Sequence, residues 1–279
     1  WNSHGQLGSG LSGANGDAFC TTSGEISMYC NGQSNPVYVR LDQDDLAGLS
    51  NVSQTAVAVS TGFQGSCAVV EDGHVRCWGT NYQSLRPGGS TTPYTNPDLT
   101  SVVAVAVEDE SACGLLQNGT VYCWGRGTEG QMGVNSTNNH YTGEIVSVQN
   151  LGKPVISIAA GYRNFCAILN DYTMKCWGQN DYGKLGLGNT TTQLLPVSVN
   201  TFGSVVSVSA GGQHTCVIML DSAMKCWGRG GEGQLGVNNT NSLNTAGDSD
   251  TEIVFASAIK VDSGDSDIDG DGFRSWFED

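Results

Sequence analysis

The sequence predicts an all-β protein, a propeller of blades about fifty residues long, on three observations. All ten cysteines fall into pairs ten residues apart: Cys20/Cys30, Cys67/Cys77, Cys113/Cys123, Cys166/Cys176 and Cys216/Cys226. Trp78, Trp124, Trp177 and Trp227 each stand between the second cysteine and a glycine, so Cys-Trp-Gly recurs at intervals of 46, 53 and 50 residues. No stretch carries the apolar period of an amphipathic helix. Self-similarity at this period, with three or four short strands per unit, matches a propeller blade.

Each unit opens with a β-branched run such as Val-Val-Ser-Val-Ser-Ala-Gly (205–211), expected to be a strand. The first cysteine marks a second strand, a tight turn follows, and a third strand ends in Cys-Trp-Gly. Opposed residues at non-hydrogen-bonded positions lie about 4.5 Å apart at Cα, within reach of a disulfide. Each pair is therefore expected to staple its own hairpin. Zinc is the competing reading, but zinc fingers and ribbons separate their ligands by only about two to four residues. A disulfide closing so short a loop contributes about 2 to 3 kcal/mol by restricting the unfolded chain.

After Trp-Gly the chain should reverse sharply at Asn81, Gly127, Asn180 and Gly230, the residue types that most readily enter the left-handed backbone region. The glycine-rich loop that follows, as in Gly233-Gln234-Leu235-Gly236, should let Met132, Leu185 and Leu235 insert between blades. Gly8–Gly13, Gly125–Gly130 and Gly228–Gly233 also fit a Gly-X-Gly-X-X-Gly pattern. No helix follows any of them, so a dinucleotide site is excluded.

Composition points outside the reducing cytosol, where disulfides persist. A formal charge of −15 with only 12 Lys and Arg excludes nucleic acid and anionic membrane surfaces as partners, since both need a basic patch. No apolar run approaches the roughly 18 residues of a membrane span. The chain has 39 glycines yet is 38% hydrophobic, enough to bury a core. It starts without Met or a signal peptide, as expected of a trimmed segment of a secreted or cell-surface protein. Asn51, Asn118, Asn135, Asn189 and Asn238 open Asn-X-Ser/Thr sequons and are glycosylation candidates, although such triplets also arise by chance in Asn/Thr-rich loops.

Cys-Trp-Gly-Arg-Gly-Gly-Glu-Gly-Gln-Leu-Gly (226–236), Cys-Trp-Gly-Gln-Asn-Asp-Tyr-Gly-Lys-Leu-Gly (176–186) and Ala-Gly-Gly-Gln-His-Thr-Cys (210–216) resemble the repeat of the regulator of chromosome condensation family. The resemblance covers residues 1–264 and implies a β-propeller, with the cysteine-bearing version similar to exported microbial members. That scaffold hosts exchange factors, enzyme inhibitors and adhesion modules alike. Three departures should make blades locally irregular. Cys30-Asn31-Gly32 lacks the tryptophan; Ser84-Leu85-Arg86-Pro87 replaces Gly-Gln-Leu-Gly; and Glu108 and Glu110 interrupt the Ala-Gly-X-X-His column. Trp1–Gly8 aligns with the stretch just after a Trp-Gly, and Ala258–Gly264 looks like the opening strand of a further repeat. The fragments either join as a shortened blade, protecting sheet edges, or flank blades outside the chain.

Residues 265–279 form an acidic tail that fits a twelve-residue calcium loop. Asp267, Asp269 and Asp271 occupy positions 1, 3 and 5, with Gly272 at 6 and the Phe273 carbonyl at 7. Ser275 stands at 9 and Glu278 at 12, so Ca2+ is the expected cofactor. The preceding residues are not helical, so the site resembles the single-flank loops of dockerins and thrombospondin-type linkers, with a structural rather than a sensing role.

The four histidines, His4, His74, His140 and His214, lack metal or triad spacing, and every cysteine is paired. The expectation is a non-enzymatic extracellular module for protein binding or self-assembly, with recognition carried by residues 80–100, 134–150 and 237–252. Tyr82, Arg86, Tyr94, His140 and Tyr141 are the partner-binding candidates there, since Tyr and Arg are enriched at hot spots. A secreted inhibitor of an extracellular enzyme is the alternative. A carbohydrate-processing enzyme, its carboxylates drawn from distant loops, is a weaker one.

Overall fold

The computed structural model describes residues 55–63, 65–79, 94–95, 99–141, 144–201, 203–246 and 252–253, with two short paired segments at 19–21 and 27–29. These two, β1 (Phe19–Thr21) and β2 (Ser27–Tyr29), pair antiparallel with Cys20 opposite Met28. Cys30 lies outside the described residues, as do Asn51, Tyr82, Arg86 and residues 265–279 with the whole calcium loop.

Four four-stranded antiparallel sheets follow, each meandering in chain order. Blade 1 comprises β3 (Ala56–Thr61), β4 (Gly65–Val70), β5 (Val75–Gly79) and β6 (Tyr94–Thr95). Blade 2 comprises β7 (Val102–Val107), β8 (Ser111–Leu116), β9 (Val121–Gly125) and β10 (Val146–Ser147). Blade 3 is β11 (Val155–Gly161), β12 (Asn164–Leu169), β13 (Met174–Gly178) and β14 (Gln193–Val199). Blade 4 is β15 (Val205–Ala210), β16 (His214–Met219), β17 (Met224–Gly228) and β18 (Glu252–Ile253). A single 3-10 turn, Asp181–Gly183, is the sole helical element among the described residues.

The first strands β3, β7, β11 and β15 touch one another in succession, as the innermost strands of propeller blades do. Four cysteine pairs, Cys67–Cys77, Cys113–Cys123, Cys166–Cys176 and Cys216–Cys226, stand opposite one another in register. Their Cα atoms lie 4.1 Å apart, and all four are disulfides. Alternation along the second and third strands then builds the core. In blade 3, Cys166, Ile168, Met174 and Cys176 point towards blade 4, where they meet Val205, Val217 and Trp227. Phe165, Ala167, Leu169 and Trp177 point the other way, onto Cys113, Leu115, Val121 and Cys123 of blade 2. The same arrangement joins blade 1 to blade 2, with Cys67 and Cys77 against Trp124. The first three staples are thus each buried under the next blade's tryptophan, and the core is a series of seams.

The pairs are alike in sequence, but the staple of blade 4 differs from the others in its surroundings. Cys226 is buried, whereas its partner Cys216 is only half-buried. Neither cysteine belongs to the apolar cluster of a seam, because no tryptophan of a following blade covers them among the described residues. As a bonded and buried sulfur, Cys226 is a structural clasp and offers no reactive or metal-binding site, and the same holds for the other described pairs.

Met132, Leu185 and Leu235 are fully buried, as expected of the loop that reaches between blades. The Trp177 indole N–H donates to the Gln131 carbonyl (2.8 Å), and that of Trp227 to the Lys184 carbonyl (3.0 Å). These bonds explain why the repeat uses tryptophan, since a buried carbonyl left unpaired costs about 1 to 3 kcal/mol. A further bond crosses each of the three seams. The amides of Val102, Val155 and Val205 donate to the hairpin-turn carbonyls of Gly73, Gly119 and Tyr172, each at 2.9 Å.

Two expectations need correction. Gly127, Asn180 and Gly230 do not adopt left-handed backbone; the positive φ falls on the glycine of Trp-Gly itself, at Gly79, Gly125, Gly178 and Gly228. Gly127 and Gly230 are required by crowding, because a Cβ there would lie 1.9 Å from the carbonyl oxygens of Asn138 and Asn241. Nor does Glu108 disorder blade 2, whose β7 and β8 keep the register of the other blades.

Candidate functional site

The two ends of the blades differ in chemistry. The lower face holds the cysteine hairpin turns, where Asp72, Asn118, Asp171 and Asp221 each accept the backbone N–H two residues on. These are self-contained Asx turns. The Lys153 ammonium and the Thr173 hydroxyl further hold the exposed Asp171 carboxyl down at about 2.

The upper face holds the turns from first to second strand and is rich in ionisable and aromatic groups. In blades 3 and 4 these turns run Gly161–Asn164 and Gly211–His214, and a Cβ on either glycine would strike the side chain of Asn164 (2.6 Å) or His214 (2.5 Å). Blade 2 fills the same volume in reverse, with Glu108 in the glycine column and small Ser111 in the histidine column. The buried Glu108 carboxylate accepts the Ser111 hydroxyl, the Asp109 N–H (2.8 Å) and, across the seam, the Arg163 N–H (3.0 Å). Burial raises its pKa, and these three donors offset only part of that rise. Asp109 is raised as well, by burial and by Glu110 beside it. Glu110 is paired with Arg126, which the bond holds above its ordinary value.

Arg163 has a left-handed backbone (φ 59°), and its guanidinium lies 4.8 Å from the Tyr162 ring centroid and 3.8 Å from a Glu129 carboxylate oxygen. Below that ring Lys184 replaces the Gln131 and Gln234 of neighbouring blades. Its ammonium donates to the Tyr162 carbonyl, to Gln179 Oε1 (3.1 Å) and to the Gly212 carbonyl of blade 4 (3.5 Å). Burial lowers its pKa to about 8, against the pull of Asp181 and Glu108. Tyr182, also left-handed (φ 58°), carries Arg229 at 5.6 Å from its ring centroid, and Arg229 donates to Gln213 (2.9 Å) and Glu232 (3.3 Å). Tyr162 and Tyr182 remain 39% and 45% exposed. Non-glycine residues held at positive φ store roughly 1 to 3 kcal/mol each, a cost met at Arg163 and Tyr182 here and at Tyr172 and Ser222 in the lower-face turns. The arrangement suits recognition of another macromolecule: fixed aromatic rings, each braced by a cation, between ion pairs.

Of the residues chosen from sequence, Tyr94 belongs to β6, paired with Cys77. His140 is bonded through its backbone to Gly125, its Nδ1 3.1 Å from Glu144 but out of line for a hydrogen bond. Tyr141 sits near Glu110 and Arg126, its phenol pKa raised by burial and by Glu110. Asn118, Asn135, Asn189 and Asn238 are all exposed, and Asn118 and Asn189 cap the amides of Thr120 and Thr191. Tyr162, Arg163, Tyr182, Lys184 and Arg229 were missed. A signal existed in Lys184, a charge in a glutamine column. Among the described residues no group of three His, Cys, Asp or Glu is placed to hold a metal, and no helix is long and apolar enough to cross a membrane.

Stapled four-stranded blades joined by tryptophan seams define a β-propeller repeat protein. The regulator of chromosome condensation (RCC1) repeat matches residues 118–168 and 176–218 in one form and 56–84, 102–131, 155–184 and 205–234 in another. These matches together take in more than half of the chain, which therefore belongs to the RCC1 repeat family.

Yeast RCC1 (Prp20) bound to Kap60 matches at a TM-score of 0.65 and 18% identity, over 75% of this chain and 51% of that one. Human WBSCR16 gives 0.67 and 16%, over 88% and 60%. Prp20p from Saccharomyces cerevisiae, described with its binding to Gsp1p and histones, gives 0.54 and 19%, over 66% and 45%. At these identities the likeness is one of fold. This chain spans about half the length of the structures it matches.

Proposed function

We propose that this protein is a secreted or surface-displayed, non-enzymatic binding module that engages a protein partner, or further copies of itself, through its upper face. The observation that carries the reading is the pair of part-exposed tyrosines braced by cations at the junction of adjacent blades, Tyr162 with Arg163 and Tyr182 with Arg229. Solved relatives of the fold are described bound to Kap60 or binding Gsp1p and histones, which supports the scaffold as a platform for proteins. The location outside the cytosol is supported by four disulfides. Calcium at Asp267, Asp269, Asp271, Phe273, Ser275 and Glu278 would rigidify the C-terminal junction, a reading supported by ligand spacing alone.

The test is a photo-crosslinking amino acid placed at Tyr182 or, as control, at Tyr172 on the lower face, in the full chain expressed in its native host. A discrete adduct from position 182 and none from 172 is expected. Equal capture at both faces, or turnover of glycans by the native protein, overturns the proposal. Calcium is tested separately, by titration of the native chain and of Asp267→Asn/Glu278→Gln. Uptake by the double variant equal to that of the native chain refutes the metal assignment.

A further inference from the structure

The arginines of the upper face, Arg126, Arg163 and Arg229, are not equally satisfied. Arg126 donates from Nε to the Thr128 hydroxyl (2.8 Å) and from its fork to Glu110. Arg229 donates to Gln213 (2.9 Å) and to Glu232 (3.3 Å). The Arg163 side chain makes no hydrogen bond among the described residues. Its guanidinium packs 4.8 Å from the Tyr162 ring centroid, its Nε is buried without an acceptor, and Glu129 comes only to 3.8 Å, an ion pair without a hydrogen bond. Yet that side chain is only 22% exposed. A buried donor left without an acceptor costs about 1 to 3 kcal/mol, and more when it is charged.

What this corner lacks is acceptors. Gln131 uses its Oε1 to accept the Glu129 N–H (2.8 Å) and leaves its own buried Nε2 unpaired. The Glu108 carboxylate is spent on the Arg163 backbone N–H, the Asp109 N–H and the Ser111 hydroxyl. Asp109 lies within electrostatic reach of Arg163 but is not bonded to it. On the same tyrosine ring the Lys184 ammonium, 5.6 Å from the centroid, adds positive charge while donating to the amide oxygens of Tyr162, Gln179 and Gly212. An arginine fork that matches a carboxylate is thus held in place with no carboxylate bonded to it.

We propose that Arg163 is the anchor of the upper face, and that its fork receives the carboxylate of an Asp or Glu side chain of the protein partner in a bidentate pair. The proposal rests on the reading of that face as a binding surface and names the partner's chemistry there. Glu129 is the placeholder in the free protein, and its side chain, 32% exposed, has room to swing aside. The formal charge of −15 sets a second requirement. It repels a strongly acidic partner at a distance, so the anchoring carboxylate belongs to a segment that is otherwise neutral or basic. Arg126 and Arg229 already have their acceptors and serve as the polar surround of the anchor rather than as anchors themselves.

The test follows the Arg163 Nε–H resonance in the full chain carrying nitrogen-15 arginine, assigned by its loss in Arg163→Lys. N-acetylglutamate amide is the probe, N-acetylglutamine amide the neutral control and sulfate the general anion. A saturable shift of the Arg163 signal with the glutamate probe alone is expected, while the Arg126 and Arg229 signals stay in place. No shift, or an equal shift with sulfate or with the glutamine control, overturns the proposal. In the native host, the adduct from a crosslinker at position 182 should fall about tenfold in Arg163→Lys, which keeps the charge and loses the fork. An unchanged yield also overturns the proposal. An adduct missing from the native chain itself counts against the binding surface, and the resonance then decides the carboxylate seat alone.

Discussion

The exchange of Glu108 and Ser111 for the glycine and histidine of the other blades makes a quantitative prediction. Replacing Glu108 with Gly removes the acceptor of two backbone amides, one from each side of the seam, and of a buried hydroxyl. Buried donors left without partners cost about 1 to 3 kcal/mol each, and water will reach some of them, so a total near ~3 kcal/mol is expected. Ser111→His alone drives an imidazole into the carboxylate's volume, an overpacking that costs about 1 to 3 kcal/mol. The double variant recreates the solution of blade 4, where His214 lies against Gly211, and should recover about 2 kcal/mol of the summed losses. Guanidinium unfolding with the disulfides intact, compared at the transition midpoint, gives the coupling energy. Losses that simply add would refute the volume-exchange argument.

Three further outcomes follow from the geometry. Lys184 has a folded pKa of about 8 against an ordinary 10.5. The unfolded chain holds the proton that the folded chain gives up, so stability should rise from pH 8 to 10.5, by at most about 3 kcal/mol. That rise should be absent in Lys184→Gln measured over the same range. Tyr172 and Ser222 hold left-handed backbone where sister turns have glycine, so Tyr172→Gly and Ser222→Gly should each stabilise by about 0.5 to 1 kcal/mol in thermal unfolding. Gly119→Ala should do the opposite, since its Cβ would sit 2.5 Å from Pro154. Trp177→Phe should cost about 1 to 3 kcal/mol through the orphaned Gln131 carbonyl, and tryptophan fluorescence should then report a looser seam.

The blade could be read from Cys-Trp-Gly because one geometric requirement, opposed cysteines beside a seam tryptophan, forces a fixed spacing on the chain. Disulfide pairing in four hairpins and the burial of Met132, Leu185 and Leu235 were legible for the same reason. The unequal burial of Cys216 and Cys226 was not, because it depends on what lies over the blade rather than on the hairpin that sets their spacing. Asn180 shows another limit. Composition suggested a left-handed turn there, but its side chain instead accepts the Leu185 amide (2.9 Å) and donates to the Asn189 carbonyl (2.9 Å), while Gly178 takes the positive φ. Glu108 was read as a lesion because a single blade does not reveal that its partner, Ser111, has shrunk to make room. The upper-face cluster was hidden for a broader reason. Lys184 meets Tyr162 from 22 residues away within blade 3, and Arg229 meets the Tyr182 ring only across the seam from blade 4.

Each of the four described staples closes a loop within its own blade, and none joins one blade to the next. Pulled from its ends, such a chain should yield at the tryptophan contacts one wedge at a time, each freed wedge keeping its clasped hairpin as a template for snapping back. Rupture would then be confined to joints that heal without chemistry, because every covalent link lies inside a wedge and none has to be broken or remade.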